Sequence, residues 1–181
     1  MSASKKRSDN NKTIVYPPDV DMADTPAQEN TAEIRAWLEV NEISEVECLV
    51  PDMTGNARGK FIPAHQFLSR GDLKLPESTM IQTVTGEYTD EHWDFVEPTD
   101  TDMLLVPDPN TLRKVPWARE PTAQIIADCY KASGQPHPLA SRNVLKQIIK
   151  LYGEAGLRAE VAPEVEFFLV LKNTDPDYEL M

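Results

Sequence analysis

The sequence predicts an α+β fold, on three observations. Short apolar runs of strand length recur along the chain, only a few stretches repeat apolar residues at helical spacing, and the character changes near residue 135. A small mixed sheet with few helices accounts for the first part, and a second domain begins after the change.

Residues 1–28 are rich in Ser, Asn, Asp, Lys and Pro without periodicity, which reads as a disordered extension. From Thr31, the apolar residues Ile34, Trp37, Leu38 and, more loosely, Val40 predict a short amphipathic helix. Val46, Cys48 and Val50 alternate with polar residues, as a strand does. Met53-Thr54-Gly55-Asn56 is a turn, and Arg58 to Ile62 resumes as a second strand, completing a hairpin. Pro63 opens a short helix through Phe67 and Leu68. The stretch from Gly71 to Asp102 reads as an acidic loop containing one strand, Met80 to Val84. Met103 to Val106 is a short buried strand ended by Pro107-Asp108-Pro109. Leu112 to Trp117 is an edge strand or turn, and Ala123 to Tyr130 is a further strand. Residues 29–135 thus form one domain.

Lys131 to Pro138 is a polar connector. Ser141 is placed to cap a helix carrying Val144, Leu145, Ile148, Ile149 and Tyr152 on one face, stopped near Gly153 and Gly156. Leu157 to Val161 and Glu164 to Leu171 read as strands, and Asp175-Pro176-Asp177 as a turn. One helix and two strands cannot enclose a core, so residues 136–181 are expected to be the start of a truncated second domain.

Bulk composition narrows the function. The chain has 181 residues, 40% hydrophobic and 27% charged, which suits a folded protein. With 30 acidic against 18 basic residues the formal net charge is -12, which argues against a nucleic-acid partner. The basic cluster Lys5-Lys6-Arg7 reads as part of a solvated tail. Cys48 and Cys129 are far apart in apolar runs and read as small core residues. His65, His92 and His137 are scattered and read as surface or loop residues rather than ligands. No signal-peptide core or membrane-spanning apolar stretch appears, so a soluble, cytoplasmic protein is expected, with no membrane partner.

The strongest pointer to chemistry is Pro163-Glu164-Val165-Glu166-Phe167-Phe168-Leu169-Val170. On a strand Glu164 and Glu166 point to one face. Neighbouring carboxylates in an apolar setting repel one another and resist desolvation, unless a cation neutralises them. Hard cations such as Mg²⁺ or Mn²⁺ prefer oxygen ligands, so the pair is a candidate metal site. The same spacing also suits a solvated strand face.

Several motifs in order carry a resemblance. They are Asp52-x-x-Gly55-x-x-Arg58-Gly59-Lys60-x-x-Pro63, Asp102-Met103-Leu104-Leu105-Val106-Pro107-Asp108, Ala123 to Tyr130, Pro138 to Tyr152 and Ala162 to Leu169. From about Glu45 to Leu171 the chain resembles the N-terminal third or so of the glutamine synthetase family. Each motif is weak alone, but in register they are specific. The resemblance implies a β-grasp-like N-terminal domain, followed by the first helix and strands of a catalytic domain. It implies ATP-dependent ligation, in which the glutamate γ-carboxylate is phosphorylated by ATP and the acyl phosphate is attacked by ammonia or an organic amine. It further implies that Glu164 and Glu166 each bind one of two Mg²⁺ or Mn²⁺ ions, and that the complete protein is a homo-oligomeric ring with active sites between subunits.

By the same resemblance the β-grasp domain lends acidic residues to the amine site of a neighbouring subunit. Asp102 matches one of them; the alternative reading is a turn residue at a strand start. The other departs from the family: Leu75-Pro76-Glu77-Ser78-Thr79 stands where the family has Phe-Asp-Gly-Ser-Ser. The aspartate becomes Pro76, and Glu77, one place later, either takes the role or is an ordinary loop residue. Together with Thr85 to Trp93 this departure looks closer to the γ-glutamylpolyamine or putrescine ligase branch, with Trp93 either walling an amine pocket or simply packing. The alternative to a ligase is a non-catalytic assembly or binding module of the same family.

Overall fold

The computed structural model describes residues 29–69, 73–88 and 90–171, the side chains of 29–31, 68, 69 and 93 excepted. The extension expected at 1–28 and the turn at Asp175-Pro176-Asp177 lie outside them. Two compact units appear, Met1–Leu145 and Lys146–Met181.

The first unit is α+β, as expected. Helix α1 (Glu29–Val40) buries Ile34 and Leu38 one turn apart, while Val40 is exposed. Beyond the helix, Glu42 adopts a positive φ of 53°, and the Ile43 N–H reaches back to the Leu38 carbonyl at 3.0 Å, closing the helix in a Schellman-like turn. Strand β1 (Glu45–Pro51) pairs with β2 (Ala57–Pro63) in the expected antiparallel hairpin, Glu45 opposite Pro63 and Pro51 opposite Ala57. Helix α2 (Ala64–Ser69) follows. Strand β6 (Thr122–Tyr130) is central and almost wholly buried. It runs parallel to β1 and antiparallel to β4 (Asp102–Pro107) and β5 (Arg113–Lys114), and β4 pairs in turn with β3 (Leu73–Pro76). The sheet order is β2-β1-β6-β4-β3, with β5 beside the first part of β6.

Alternation along the strands sorts the two faces. Val46, Cys48, Val50, Ala123, Ile125, Ala127, Cys129, Met103 and Leu105 join Ile34, Leu38, Ala64 and Phe67 in one core. Both cysteines are buried and unpaired, as the sequence suggests, and burial pushes each thiol up to about 12. The opposite face is tied by polar groups across strands: Thr122 Oγ1 donates to Glu45 at 2.9 Å, Gln124 Nε2 to Glu47 at 2.7 Å, and Arg113 Nε to Gln124 at 2.9 Å.

Two expectations fail in this unit. No strand forms at Met80 to Val84. Instead Glu77–Ile81 is a 3-10 turn, held because the Asp100 carboxylate accepts from both the Ser78 N–H (3.0 Å) and its hydroxyl (2.8 Å). The strand of this region is Leu73–Pro76, which the sequence reading left in a loop. Ser141 opens helix α3 (Ser141–Glu154), but its hydroxyl donates to the Pro51 carbonyl at 3.1 Å rather than capping the helix.

The second unit holds most of α3. The helix ends as the glycines suggest: Gly156 sits at φ +71°, and the Leu157 N–H returns to the Tyr152 carbonyl at 2.8 Å. The strands expected at Leu157 to Val161 and Glu164 to Leu171 are not formed, and all of residues 157–171 are exposed. A strand is stabilised by a hydrogen-bonded neighbour, and among the described residues none lies beside this segment. No helix among the described residues is long and apolar enough to cross a membrane.

Candidate active site

Register places the two acidic candidates of the first unit at the same end of the β3–β4 pair. Pro76 at the end of β3 lies directly opposite Asp102 at the start of β4, and the Glu77 N–H donates to the Thr101 carbonyl at 3.1 Å. Asp102 is exposed, free to meet a solute. Glu77 is more enclosed, its side chain 15% exposed. The two carboxylates leave the pair on different sides: Asp102, across from Pro76, is on the exposed side, whereas Glu77, one residue on, reaches toward the buried His137.

The segment after Glu77 is tied together by polar and aromatic contacts. Ser78 Oγ lies 3.1 Å from the Tyr88 hydroxyl, which also accepts from Gln82 Nε2 at 2.9 Å. The Tyr88 ring stands 5.2 Å from that of His92, tilted by 33°. Asp100, with a strained φ of 42°, anchors Ser78. The side chain of Trp93 lies outside the described ones.

This loop is gripped by the β1–β2 hairpin. Asp52 is buried, and its Oδ1 accepts from the Thr54 N–H (2.8 Å), the Thr54 hydroxyl (2.8 Å) and the Asn56 N–H (2.9 Å). Its Oδ2 accepts from Arg58 Nε at 2.7 Å. Arg58 then spends its Nη2 on the Thr83 carbonyl at 2.6 Å, and Asn56 Nδ2 reaches the Val84 carbonyl at 3.3 Å. Asp52 thus orients Arg58, and Arg58 holds the loop that carries Tyr88. Burial alone would push the Asp52 carboxyl up, but the Arg58 guanidinium and the Thr54 and Asn56 donors outweigh it and hold it below its ordinary 3.8.

Removing this carboxylate strands those donors. Asp52→Ala is expected to cost about 3 kcal/mol, toward the low end for a broken buried pair because Arg58 retains some access to water. The native state binds fewer protons here than the unfolded chain, so the contribution is complete above about pH 4 and lost as pH falls through the folded value. Urea midpoints of wild type should therefore drop on acidification below about pH 4, and Asp52→Asn should flatten that part of the profile. Equal profiles would contradict the assignment.

A second charged cluster, within the first unit, ties Arg142 to the sheet. Arg142 donates through Nε to Asp128 at 2.8 Å and through Nη2 to Asp108. His137 is a correction to the sequence reading: it lies in the connector, as expected of a loop residue, but is 1% exposed rather than on the surface. The Asp52-x-Thr54-Gly55 pattern advertised an Asx turn, but nothing in the sequence signalled that Asp100 or His137 would meet Ser78 and Glu77.

Glu164 and Glu166 lie in the second unit, both exposed. Without a strand, their sharing of one face does not follow from alternation. Two carboxylates have the right donor chemistry for a hard cation but are short of the roughly six ligands one takes. Among the described residues no group of three or more His, Cys, Asp or Glu side chains could hold a metal ion.

Comparison with known proteins places the chain. It is 31% identical over 148 residues to a glutamate–isopropylamine ligase of Pseudomonas sp, covering 76% of this chain and 31% of that protein. It is 30% identical over 161 residues to a γ-glutamylethanolamide synthetase of Streptomyces coelicolor, covering 84% and 34%. A glutamine synthetase of Pyrococcus abyssi matches at 36% over 81 residues, 45% of this chain and 18% of that one. A solved GmaS–ADP complex shares the fold, with a TM-score of 0.50 and 22% identity over 67% of this chain and 26% of its own. No family model matches. The chain spans about a third of the length of the first two relatives. It belongs to the glutamine synthetase family.

Proposed function

We propose that this chain is the β-grasp-like domain and the entry to the catalytic domain of a cytoplasmic, ATP-dependent glutamate–amine ligase. The reading rests on one observation above all. In a member of this family, an exposed Asp102 opens β4 directly opposite Pro76, with Glu77 next along the chain. The substrates are glutamate, ATP and an organic amine or ammonia, and the amine site lies between subunits of a homo-oligomeric ring.

The chemistry asks for such a site. An amine is protonated near neutral pH and must lose a proton before it can attack an acyl phosphate. Asp102, exposed, attracts the ammonium form and takes that proton; Glu77 supplies a second charge. Glu164 and Glu166 hold Mg²⁺ or Mn²⁺ together with ligands outside this chain. The bound cations supply charge neutralisation to the transferring phosphoryl group. Two carboxylates fall short of the ligands a hard cation takes, and the chain spans about a third of its relatives' length, so it is expected to have no synthetase activity by itself.

The organic amine is favoured over ammonia by the chain's likeness to a glutamate–isopropylamine ligase and a γ-glutamylethanolamide synthetase, and by Pro76 standing where the family has aspartate. An amine panel on the complete polypeptide, read as glutamate-dependent ADP release, tests it. Alkylamines or polyamines should exceed ammonia in kcat/KM by about tenfold. Asp102→Asn should cut amine kcat/KM by about 100-fold. An unchanged kcat/KM in Asp102→Asn would remove Asp102 from the site, and ammonia as the best nucleophile would overturn the amine branch.

A further inference from the structure

Behind Glu77 stands a buried imidazole that the proposed chemistry leaves unused. His137 is fixed on several sides. Its N–H donates to the Cys129 carbonyl on β6 at 2.9 Å, and its carbonyl accepts from Ala140 N–H and Asn143 Nδ2, each at 3.2 Å. Asn143 also donates to the Cys129 carbonyl. The backbone that carries the ring is thereby held in place.

Its tautomer is fixed as well. The Leu139 N–H donates to His137 Nδ1 at 3.3 Å, so Nδ1 presents a lone pair and the ring proton sits on Nε2. Protonating Nδ1 would set two donors against each other. Burial further disfavours the imidazolium; of the charged groups facing it, Glu77 favours that form and Lys131 opposes it, and the net direction is down from the ordinary 6.5. The result is a neutral ring with a permanent Nε2–H donor.

That donor is completely buried, makes no hydrogen bond of full geometry, and stands 3.5 Å from Glu77 Oε1. A buried donor without an acceptor is unfavourable, and Glu77 is the acceptor within reach. Glutamate is one methylene longer than aspartate and costs more rotamer freedom to hold still. A fixed imidazole behind it supplies the restraint.

We infer that His137 is a positioning residue: its Nε2–H steers one oxygen of Glu77, leaving the other for the protonated amine. The inference rests on the reading of Glu77 as an amine-site carboxylate. It makes His137 and Glu77 a matched pair, in which the imidazole compensates for the aspartate lost at Pro76.

Two measurements separate this pairing from the ligase reading. In the complete polypeptide, His137→Phe keeps an aromatic ring without a donor, and His137→Gln restores an N–H donor. His137→Phe should raise the amine KM about tenfold with the KM for ATP unchanged, and His137→Gln should return it to within about threefold of wild type. Equal losses in both variants, or none in His137→Phe, would overturn the positioning role. The second measurement needs no turnover and no change at the buried ring. Nitrogen-15 spectra of the 181-residue chain should show His137 as the Nε2–H tautomer, with that resonance moving on Glu77→Gln. A resonance that stays in place overturns the pairing even if the enzyme is an amine ligase. A moving resonance with no amine-dependent turnover sustains the pairing and sinks the ligase reading instead.

Discussion

Gly59→Ala is expected to disrupt the β1–β2 hairpin and with it the loop that carries Tyr88. A Cβ on Gly59 would sit 2.0 Å from the Cys48 carbonyl oxygen, 3.0 Å from its carbon and 3.2 Å from Leu49 Cα. Favourable contacts between carbon atoms lie at about 3.5–4.0 Å. The obstacle is backbone in the adjacent strand, so no rotamer relieves it. Strand β2 would have to move away from β1 by more than an ångström, beyond the reach of the hydrogen bonds that pair them. The expected cost is at least about 3 kcal/mol, at or above the usual range for overpacking. In urea this corresponds to a midpoint lower by about 1.5 M at typical slopes.

Gly55 in the same hairpin provides the contrast. It has φ +84° and open space around its Cβ position, so Gly55→Ala strains only the local turn and should cost about 1 kcal/mol. A Gly59→Ala midpoint no lower than that of Gly55→Ala would contradict the close approach.

The parts of this fold that were legible in the sequence are those decided locally. The alternation of Val46, Cys48 and Val50, the continuous apolar run of β6 and the Gly156 stop of α3 each carry their own signal, and the structure contains all three elements. Leu73–Pro76 was missed because a four-residue edge strand ending in proline offers too little periodicity. The run at Met80 to Val84 has the pattern of a strand, but its start lies in a turn that Asp100 anchors through Ser78, 22 residues away in sequence. Long-range polar contacts of this kind leave no local pattern. The same holds at the candidate site: Asp102 was marked by its place before an apolar strand and Glu77 by a departure from the family motif. The Asp52–Arg58–Thr83 relay and the His137 donor became visible only once the chain was folded.

Glu164 and Glu166 stand differently. Their strand was read from an apolar alternation that is present in the sequence but forms no strand in this structure, because a buried strand takes its stability from its neighbours. Phe167, Phe168, Leu169 and Leu171 are 75–95% exposed, far from what such side chains favour. The segment carries the composition of a core strand without a core around it. In the complete polypeptide we expect that strand to pair and the two carboxylates to share a face.

Glu164→Ala should then have the largest effect on turnover of any substitution considered. The phosphoryl group moves between two anionic partners, and catalysis depends almost wholly on positioning and charge stabilisation, much of it from bound cations. If Glu164 holds one of them, as proposed, its loss should cost at least about 100-fold in kcat/KM, more than a group that only orients a ligand. Folding of the first unit should be unaffected, since Glu164 lies in the other one.

The most direct test of the whole reading is therefore ADP release by the complete polypeptide, titrated with Mg²⁺ and Mn²⁺, in wild type and Glu164→Ala. A glutamate-dependent ligase predicts turnover that requires glutamate, an amine and a divalent cation together, and that falls by at least about 100-fold in the variant with partial recovery at high metal concentration. Turnover absent with every amine, or indifferent to Glu164→Ala, would contradict it and leave a non-catalytic member of the family.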